Sequence, residues 1–352
     1  HLRKNLVLKS QMMRLKISQQ LKVPWIGSKK IAKKSLFLIL ILSFIIIFLK
    51  LQIALLQKIP INDTNQTFIV KKGDSLYGIL SSLEEEYNLS NTWWIKFRYI
   101  FKRDPIIKAG RYNIFPDTTI SELIERFEDG DVQLFKLAII EGTVAKDNLN
   151  YLEKIIEDEK LNFDVPQSVK DLFAEEALVM PDTYFFSDQQ DLIKVLNNSR
   201  SYLERYLSDS WAKKSKDNPL ETPYEALILA SIIEREAILP SEQKKIASVF
   251  LSRLKIDMKL QADPTSSYGF YGSYGKKIGR AVLDDENPYN TYQNKGLPPG
   301  PICYPSKGAI DAAIKSSPGD FYYFVAKGDG SHIFSKTYEE HNKAVKKYIY
   351  SK

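Results

Sequence analysis

Two glutamates stand at the end of an apolar stretch, Leu229-Ala230-Ser231-Ile232-Ile233-Glu234-Arg235-Glu236. A carboxyl group at the edge of an apolar environment loses hydration, so its pKa rises from ~4.3 towards neutrality. Such a group can act as a general acid at neutral pH. On an ideal helix Glu234 and Glu236 point about 200° apart, so only one of them should face a given cleft. Periodicity does not choose between them, and an ion pair with Arg235 or Lys244 is the simpler interpretation of this segment taken alone.

Two later segments carry groups suited to a hydroxyl-rich ligand. Residues Leu260–Gly269 and Asn287–Ile302 combine amides, hydroxyls and tyrosines with rigid proline and glycine turns. Amides and carboxylates bind sugar hydroxyls, and aromatic rings stack on the face of a pyranose. We expect residues 262–308 to form ordered irregular loops, which often carry function. A pair of ordinary β-turn loops is the alternative.

The sequence lacks the residue patterns of disulfide, metal, serine-nucleophile and phosphate-loop sites. Cys303 is the single cysteine, which rules out intramolecular disulfides and CxxC sites. The three histidines do not form an HExxH motif, so we expect no metal and no cofactor. No GxSxG elbow or P-loop is present. His332 is either a satisfied structural histidine or a substrate contact.

The elements that must position these residues follow from local signals. Pro223 starts an apolar helix over Tyr224–Ala237, and a second helix is predicted over Ser241–Lys255. Segments 321–327 and 331–336 flank Gly328-Asp329-Gly330, which predicts a β-hairpin. Thr337 and Glu340 have capping-box spacing and open a final helix. The pattern predicts an α+β fold.

An N-terminal unit over residues 68–132 is predicted to be small and separate. Its strands are expected at Phe68–Val70 and Ala109–Ile114, with helices over Ser75–Tyr87 and Thr92–Phe101 between them. A further helix is expected from Thr119 to Gly130, since Thr119 and Glu122 have capping-box spacing. The order is therefore β-α-α-β.

A membrane segment is predicted before that unit. Residues 36–56 are apolar except for a few positions and reach about 31 Å as a helix, enough for a bilayer core. Residues 1–34 hold ten Lys and Arg and no acidic residue, which places that side in the cytoplasm. We expect a basic cytoplasmic leader at 1–34, a transmembrane helix at 35–57 and a linker at 58–67. A cleaved signal peptide and a buried core helix are the alternatives.

The charge distribution argues against nucleic-acid binding. The chain has a net charge of +7, but the 318 residues after the leader carry 40 basic and 43 acidic side chains. A nucleic-acid-binding fold would be expected to keep its positive charge on the folded part.

Five stretches, in this order, resemble the MltG (YceG-like) family of endolytic murein transglycosylases. The stretches are 229–236; 247–250 with Arg253-Leu254; 260–265; 289–292 with 296–302; and 324–334 continuing to His341-Asn342. The resemblance runs from about residue 65 onward and makes 68–132 similar to a LysM-like subdomain and 133–352 similar to a catalytic domain. Two places depart from the family pattern, Ala177, where the family usually has glycine, and the loop 270–277.

The resemblance implies a specific reaction. The family cuts nascent peptidoglycan strands between N-acetylmuramic acid and N-acetylglucosamine, leaves a 1,6-anhydro-muramyl end and is thought to set strand length beside the peptidoglycan synthases. It implies that the catalytic glutamate is Glu234. The topology predicted from the basic leader places the catalytic domain outside the cytoplasmic membrane. Substrate contacts are expected from seven residues: Gln261, Asp263, Thr265, Tyr268, Asn290, Tyr292 and His332.

One carboxyl group suffices for such a reaction. The muramyl C6 hydroxyl is tethered to the reacting ring, so it can attack without a positioned water. Two alternatives remain open: a non-catalytic peptidoglycan-binding scaffold, and a hydrolase that uses Asp263 as a second carboxylate. The product of a hydrolase would be about 18 Da heavier than the anhydro product.

Overall fold

The computed structural model describes residues 2–20, 25–61, 66–100 and 105–350. The chain divides into two compact units, residues 1–133 and 134–352. Within the described ranges, strands form three two-stranded antiparallel sheets among a larger number of helices, so the expected α+β class is confirmed. Residues 62–65 of the expected linker, and Phe101 at the expected end of a helix, lie outside the described residues.

The first unit begins with two helices, α1 (Leu2–Gln20) and α2 (Trp25–Leu55). Within α2, Ile31–Leu55 has a mean hydropathy of 2.8 and is long and apolar enough to cross a membrane. Its side chains over residues 36–49 are exposed. The last residues of α2 differ, because Ala54 and Leu55 are buried in the core of the first unit. The apolar sequence therefore packs against protein at its end.

The remainder of the first unit has the expected β-α-α-β order. Its elements are β1 (Gln66–Val70), α3 (Leu76–Tyr87), α4 (Thr92–Ile100), β2 (Gly110–Ile114) and α5 (Ile120–Asp129). Strands β1 and β2 are antiparallel, with Phe68 opposite Tyr112. The predicted capping box of Thr119 and Glu122 is present, and Gly130 ends α5 with φ +73°.

The second unit holds most of the helices. Its elements are β3 (Phe135–Ala138), α6 (Ala145–Asp158), α7 (Gln167–Lys170), β4 (Thr183–Phe186), α8 (Gln189–Trp211), α9 (Pro223–Glu236), α10 (Gln243–Lys255), α11 (Asp263–Tyr271), α12 (Arg280–Leu283), α13 (Lys307–Lys315), β5 (Tyr323–Ala326), β6 (His332–Ser335) and α14 (Tyr338–Val345), followed by one π-helical turn, Lys346–Tyr350.

Helix α9 is the central element of the second unit. Its residues 226–233 are all buried, and it packs against α13, α10 and α8. Each buried leucine or isoleucine contributes roughly 1.5–3 kcal/mol relative to an exposed one. The N-terminal end is fixed by Pro223 and by a capping box of Thr222 and Glu225. The helix thus holds its last turn, residues 234–236, in a defined place.

Two elements differ from expectation, and two agree. Helices α11 and α12 lie within 262–308, which was expected to be irregular. Strand β4, for which no expectation was stated, pairs with β3. The hairpin is confirmed, with Val325 opposite Ile333 in antiparallel β5 and β6, and so is the Thr337–Glu340 capping box. Ala177 has φ +57°, a region where glycine is free of strain. That conformation is a physical reason why a glycine would be favourable at this position.

Candidate active site

The last turn of α9 presents its two glutamates to different surroundings. Glu236 lines a cleft of about 370 Å³. The walls of the cleft come from α10, the segment around residues 260–263, Tyr292, the β5–β6 hairpin and α14. Of the residues that line this cleft in the described structure, Glu236 is one and Glu234 is not.

Burial raises the pKa of Glu236 to about 8, and the negative charge of Asp263 adds to the increase. The positive charges of Arg253 and Arg235 oppose it and do not cancel it. Glu236 is therefore mostly protonated at neutral pH, the state that a general acid requires.

Glu234 has a structural partner. Its Oε2 accepts hydrogen bonds from the backbone N of Ser306 at 3.0 Å and from the Ser306 Oγ at 2.5 Å. Ser306 is the N-cap of α13, and its Oγ also accepts from the backbone N of Ala309 at 3.2 Å. A carboxylate at a helix N-terminus is favourably placed, so Glu234 joins α9 to α13. The expectation that Glu234 is the acid stays a prediction; in the cleft, the other glutamate of the pair, Glu236, is a candidate for the same role.

Three of the expected substrate contacts lie beside Glu236. Gln261, Asp263 and Tyr292 all line the cleft. The Tyr292 hydroxyl donates to Oδ1 of Asp263 at 2.6 Å. Gln261 has φ +48°, and its backbone N donates to the Thr291 carbonyl at 3.1 Å. A glutamine in this sparsely populated backbone region is held there by its surroundings, as is common at functional sites.

His332 also lines the cleft and is held by a carboxylate. Its Nδ1 lies 2.7 Å from Oε2 of Glu242, and its backbone N donates to Oε1 of the same residue at 3.2 Å. Burial acts to raise the pKa of Glu242, but the hydrogen bonds from His332 outweigh it and lower the pKa overall. The pair fixes the orientation of the imidazole ring within the cleft.

Three other expected contacts are parts of the scaffold. Thr265 is fully buried and shares a 2.8 Å hydrogen bond with the hydroxyl of Thr291. Asn290 is fully buried, and its Nδ2 donates to the carbonyl of Asp285 at 2.6 Å. The Tyr268 hydroxyl donates to Oε1 of Glu176 at 3.1 Å. None of these three lines the described cleft, so they shape the loops that carry Gln261, Asp263 and Tyr292.

Four cleft residues with polar or charged side chains were not assigned from the sequence: Arg253, Tyr323, Tyr338 and His341. Arg253 is 6% exposed, and its guanidinium donates to the carbonyls of Tyr322 at 2.7 Å and Leu260 at 2.6 Å. It thereby ties α10 to the hairpin and to the segment before α11. Arg253 and His341 are named in the stretches that carried the family resemblance, which was the available signal; Tyr323 and Tyr338 are not named in them.

Metal ligation finds no support in the described part of the chain. Over those residues, no group of three His, Cys, Asp or Glu side chains converges as a metal site would require. The expectation that no metal or cofactor is needed stays a prediction.

The fold and the cleft together define an α+β protein in which a buried central helix ends in one candidate acid, surrounded by polar and aromatic side chains. Comparison with known proteins then gives the family. A sequence model described as the YceG-like family matches residues 68–347, and the chain belongs to this family.

Two curated relatives carry the name "Endolytic murein transglycosylase". The protein from Bacillus subtilis is 31% identical over 324 residues, which cover 83% of this chain and 88% of that protein. The protein from Streptococcus pneumoniae serotype 2 is 27% identical over 337 residues, which cover 84% of this chain and 61% of that protein. The chain is also similar to the crystal structure of a yceG-like protein from Listeria monocytogenes, with 27% identity and a TM-score of 0.50. That match covers 80% of this chain and all of the other.

Proposed function

We propose that this chain is an endolytic murein transglycosylase that cleaves peptidoglycan glycan strands between N-acetylmuramic acid and N-acetylglucosamine, with Glu236 as its acid. The observation that carries the proposal is the Glu236 carboxyl in the cleft, whose pKa is raised to about 8. The names of two relatives support the substrate class.

The chemistry needs one proton donor that later becomes an acceptor. Protonated Glu236 donates its proton to the glycosidic oxygen as the bond from that oxygen to C1 of the muramyl ring breaks. The C6 hydroxyl of the same ring then forms a bond to C1 and gives its proton to the Glu236 carboxylate. The acid is restored, no water is consumed, and the product carries a 1,6-anhydro end. The intramolecular hydroxyl has a high effective concentration, which removes the need for a second carboxylate that would activate a water.

The neighbouring groups bind and orient the sugar in this proposal. Asp263 accepts hydrogen bonds from sugar hydroxyls or the acetamido N–H, while Gln261 can both donate and accept. Arg253 holds the segments that carry these groups through its bonds to backbone carbonyls.

Location and partners belong to the same proposal. Helix Ile31–Leu55 serves as a single-pass anchor, with the basic leader in the cytoplasm and the second unit outside. In that position the enzyme meets nascent strands beside the peptidoglycan synthases and terminates their elongation.

The first unit has a matching role. We propose that residues 68–132 are a LysM-like subdomain and that 133–352 are the catalytic domain. Support comes from the order β1–α3–α4–β2 with an antiparallel β1–β2 pair, and from the division of the chain near residue 133.

Mass analysis of the products tests the reaction. The detergent-solubilised full chain is incubated with uncrosslinked glycan strands, and the new ends are analysed. Anhydro-muramyl ends support the transglycosylase; reducing ends about 18 Da heavier indicate a hydrolase. Strands that stay intact under conditions where the protein is folded contradict both and favour a binding scaffold.

A further inference from the structure

One side of the cleft is a cluster of aromatic rings. The rings of Tyr323 and His341 are stacked, with centroids 5.3 Å apart and planes 24° apart. The Tyr338 ring lies 5.9 Å from Tyr323 and 6.4 Å from His341. The Arg253 guanidinium lies 5.4 Å from the centroid of Tyr323, so several neighbours fix that ring. We call Tyr323, Tyr338 and His341 the aromatic wall.

Tyr338 is the exposed member of the wall. It is 64% exposed although it lines the cleft, so much of its ring is in contact with water. Its position does not depend on burying that ring, because it is the first residue of α14 and the capping box of Thr337 and Glu340 fixes the backbone there. With its backbone fixed there and its ring beside Tyr323 and His341, Tyr338 offers apolar area that a ligand can cover.

His341 presents a neutral ring at neutral pH. Burial lowers the pKa of His341, and the positive charge of Arg253 lowers it further. Arg253 on α10 lies over the Tyr323 ring, and Glu236 on α9 and Asp263 on α11 line the same cleft. The aromatic wall therefore lies in one cleft with charged and amide side chains.

This mixture fits the two-sided nature of a sugar ring. A pyranose has an apolar face of C–H groups and a rim of hydroxyl and acetamido groups. Aromatic rings cover the first, and side chains such as Gln261 and Asp263 bind the second.

We propose that Tyr338, supported by Tyr323 and His341, is a stacking subsite for a pyranose ring of the glycan. The identity of the ligand as an N-acetylated glycan rests on the function proposed above. The subsite uses the face of the Tyr338 ring and not its hydroxyl, so another aromatic residue can replace it.

Kinetics and binding on the full chain test this subsite. With uncrosslinked glycan strands, Tyr338→Ala is expected to raise KM about tenfold and to leave kcat within about twofold, because stacking contributes to binding and not to proton transfer. Binding of a β-1,4-linked N-acetylglucosamine oligomer, measured by calorimetry, should weaken by a similar factor. Tyr338→Phe and Tyr338→Trp should stay within about threefold of the unmodified protein in both measurements.

A matched control separates this effect from a general loss of an exposed tyrosine. Tyr151 on α6 is 44% exposed and does not line the described cleft, so Tyr151→Ala should change neither value. Wild-type KM and oligomer binding in Tyr338→Ala overturn the subsite, as does a loss confined to kcat. If the unmodified chain binds the oligomer but cuts no strands, the proposed function fails. In that case tenfold weaker binding by Tyr338→Ala still supports the subsite, and unchanged binding overturns it.

Discussion

The hydroxyl of Tyr292 donates a 2.6 Å hydrogen bond to the carboxylate of Asp263, and both residues line the cleft that contains Glu236. Burial raises the pKa of Tyr292, and its hydrogen bond to Asp263 raises it further, so the phenol remains the donor. The bond holds a negative charge where it helps to keep Glu236 protonated. The charge of Asp263 thus favours the protonated form of Glu236, which is the form that a general acid requires.

The rate should depend on pH through Glu236. Because the protonated carboxyl is the active form, kcat/KM is expected to be level below pH about 8 and to fall about tenfold per unit above it. Initial rates of anhydro-end formation between pH 5 and 10 give the profile, with far-UV circular dichroism as a check that the protein stays folded. A rate that rises with pH from 6 to 9 contradicts the role of acid.

Asp263→Asn should move the fall in kcat/KM to lower pH. The substitution removes a negative charge beside Glu236 and so lowers the pKa of Glu236. Asp257→Asn is the matched control: Asp257 is an exposed carboxylate that pairs with Lys295 and does not line the described cleft. Its profile should coincide with that of the unmodified protein. Equal shifts in both variants would mean that net charge and not the position of Asp263 matters.

Glu236→Gln should change how stability depends on pH. The folded-state pKa of about 8 lies above the unfolded value near 4.5, so Glu236 stabilises the folded protein least at high pH. Between pH 5 and 9 the unmodified protein should lose stability on the order of 2–4 kcal/mol relative to the variant. Urea unfolding at several pH values measures the difference. Burial raises the pKa of Glu176 to about 7, and this group contributes equally to both proteins. If the unfolding free energies of the two proteins change in parallel with pH, the raised pKa of Glu236 is contradicted.

Substitutions of Gln261 and Asn290 should have different effects, the first on KM and the second on the free energy of unfolding. Gln261 is exposed in the cleft, so Gln261→Ala is expected to raise KM several-fold with little change in unfolding free energy. Asn290 is buried, with Oδ1 accepting from Ser266 and Nδ2 donating to Asp285, so Asn290→Ala should destabilise the fold by about 2–4 kcal/mol. Kinetics at 25 °C and denaturant unfolding measure the two effects. The assignments are wrong if Asn290→Ala alters KM and leaves stability unchanged.

Local signals in the sequence were enough for much of the fold. Pro223 marked the start of α9, and the spacing of Thr119 with Glu122 and of Thr337 with Glu340 marked two further helices. These features depend on residues a few positions apart, so the chain encodes them locally. Helix α11 had comparable signals in Pro264 near its start and Gly272 at its end, which its many tyrosines and serines obscured.

The residues near Glu234 and Glu236 in the sequence do not determine which of the two glutamates faces the cleft. Both follow an apolar run, and both sides of α9 are buried, so periodicity assigns neither to the cleft. The surroundings that distinguish them come from Ser306, 72 residues after Glu234, and from Asp263 and Arg253 near Glu236. The same holds for Tyr338, which reaches the cleft because α14 follows the hairpin. Pairings over such distances depend on the tertiary fold.

The most direct measurement compares Glu236→Gln with Glu234→Gln in the full chain, counting anhydro-muramyl ends released from uncrosslinked glycan strands. Glu236→Gln is expected to lower the rate by about 10²–10⁴-fold with the fold intact, because the proton donor is lost. Glu234→Gln can still accept the bonds from Ser306, so its rate should stay within about threefold and its stability should fall by about 1 kcal/mol. The reverse pattern, an inactive Glu234→Gln beside an active Glu236→Gln, contradicts the assignment of Glu236.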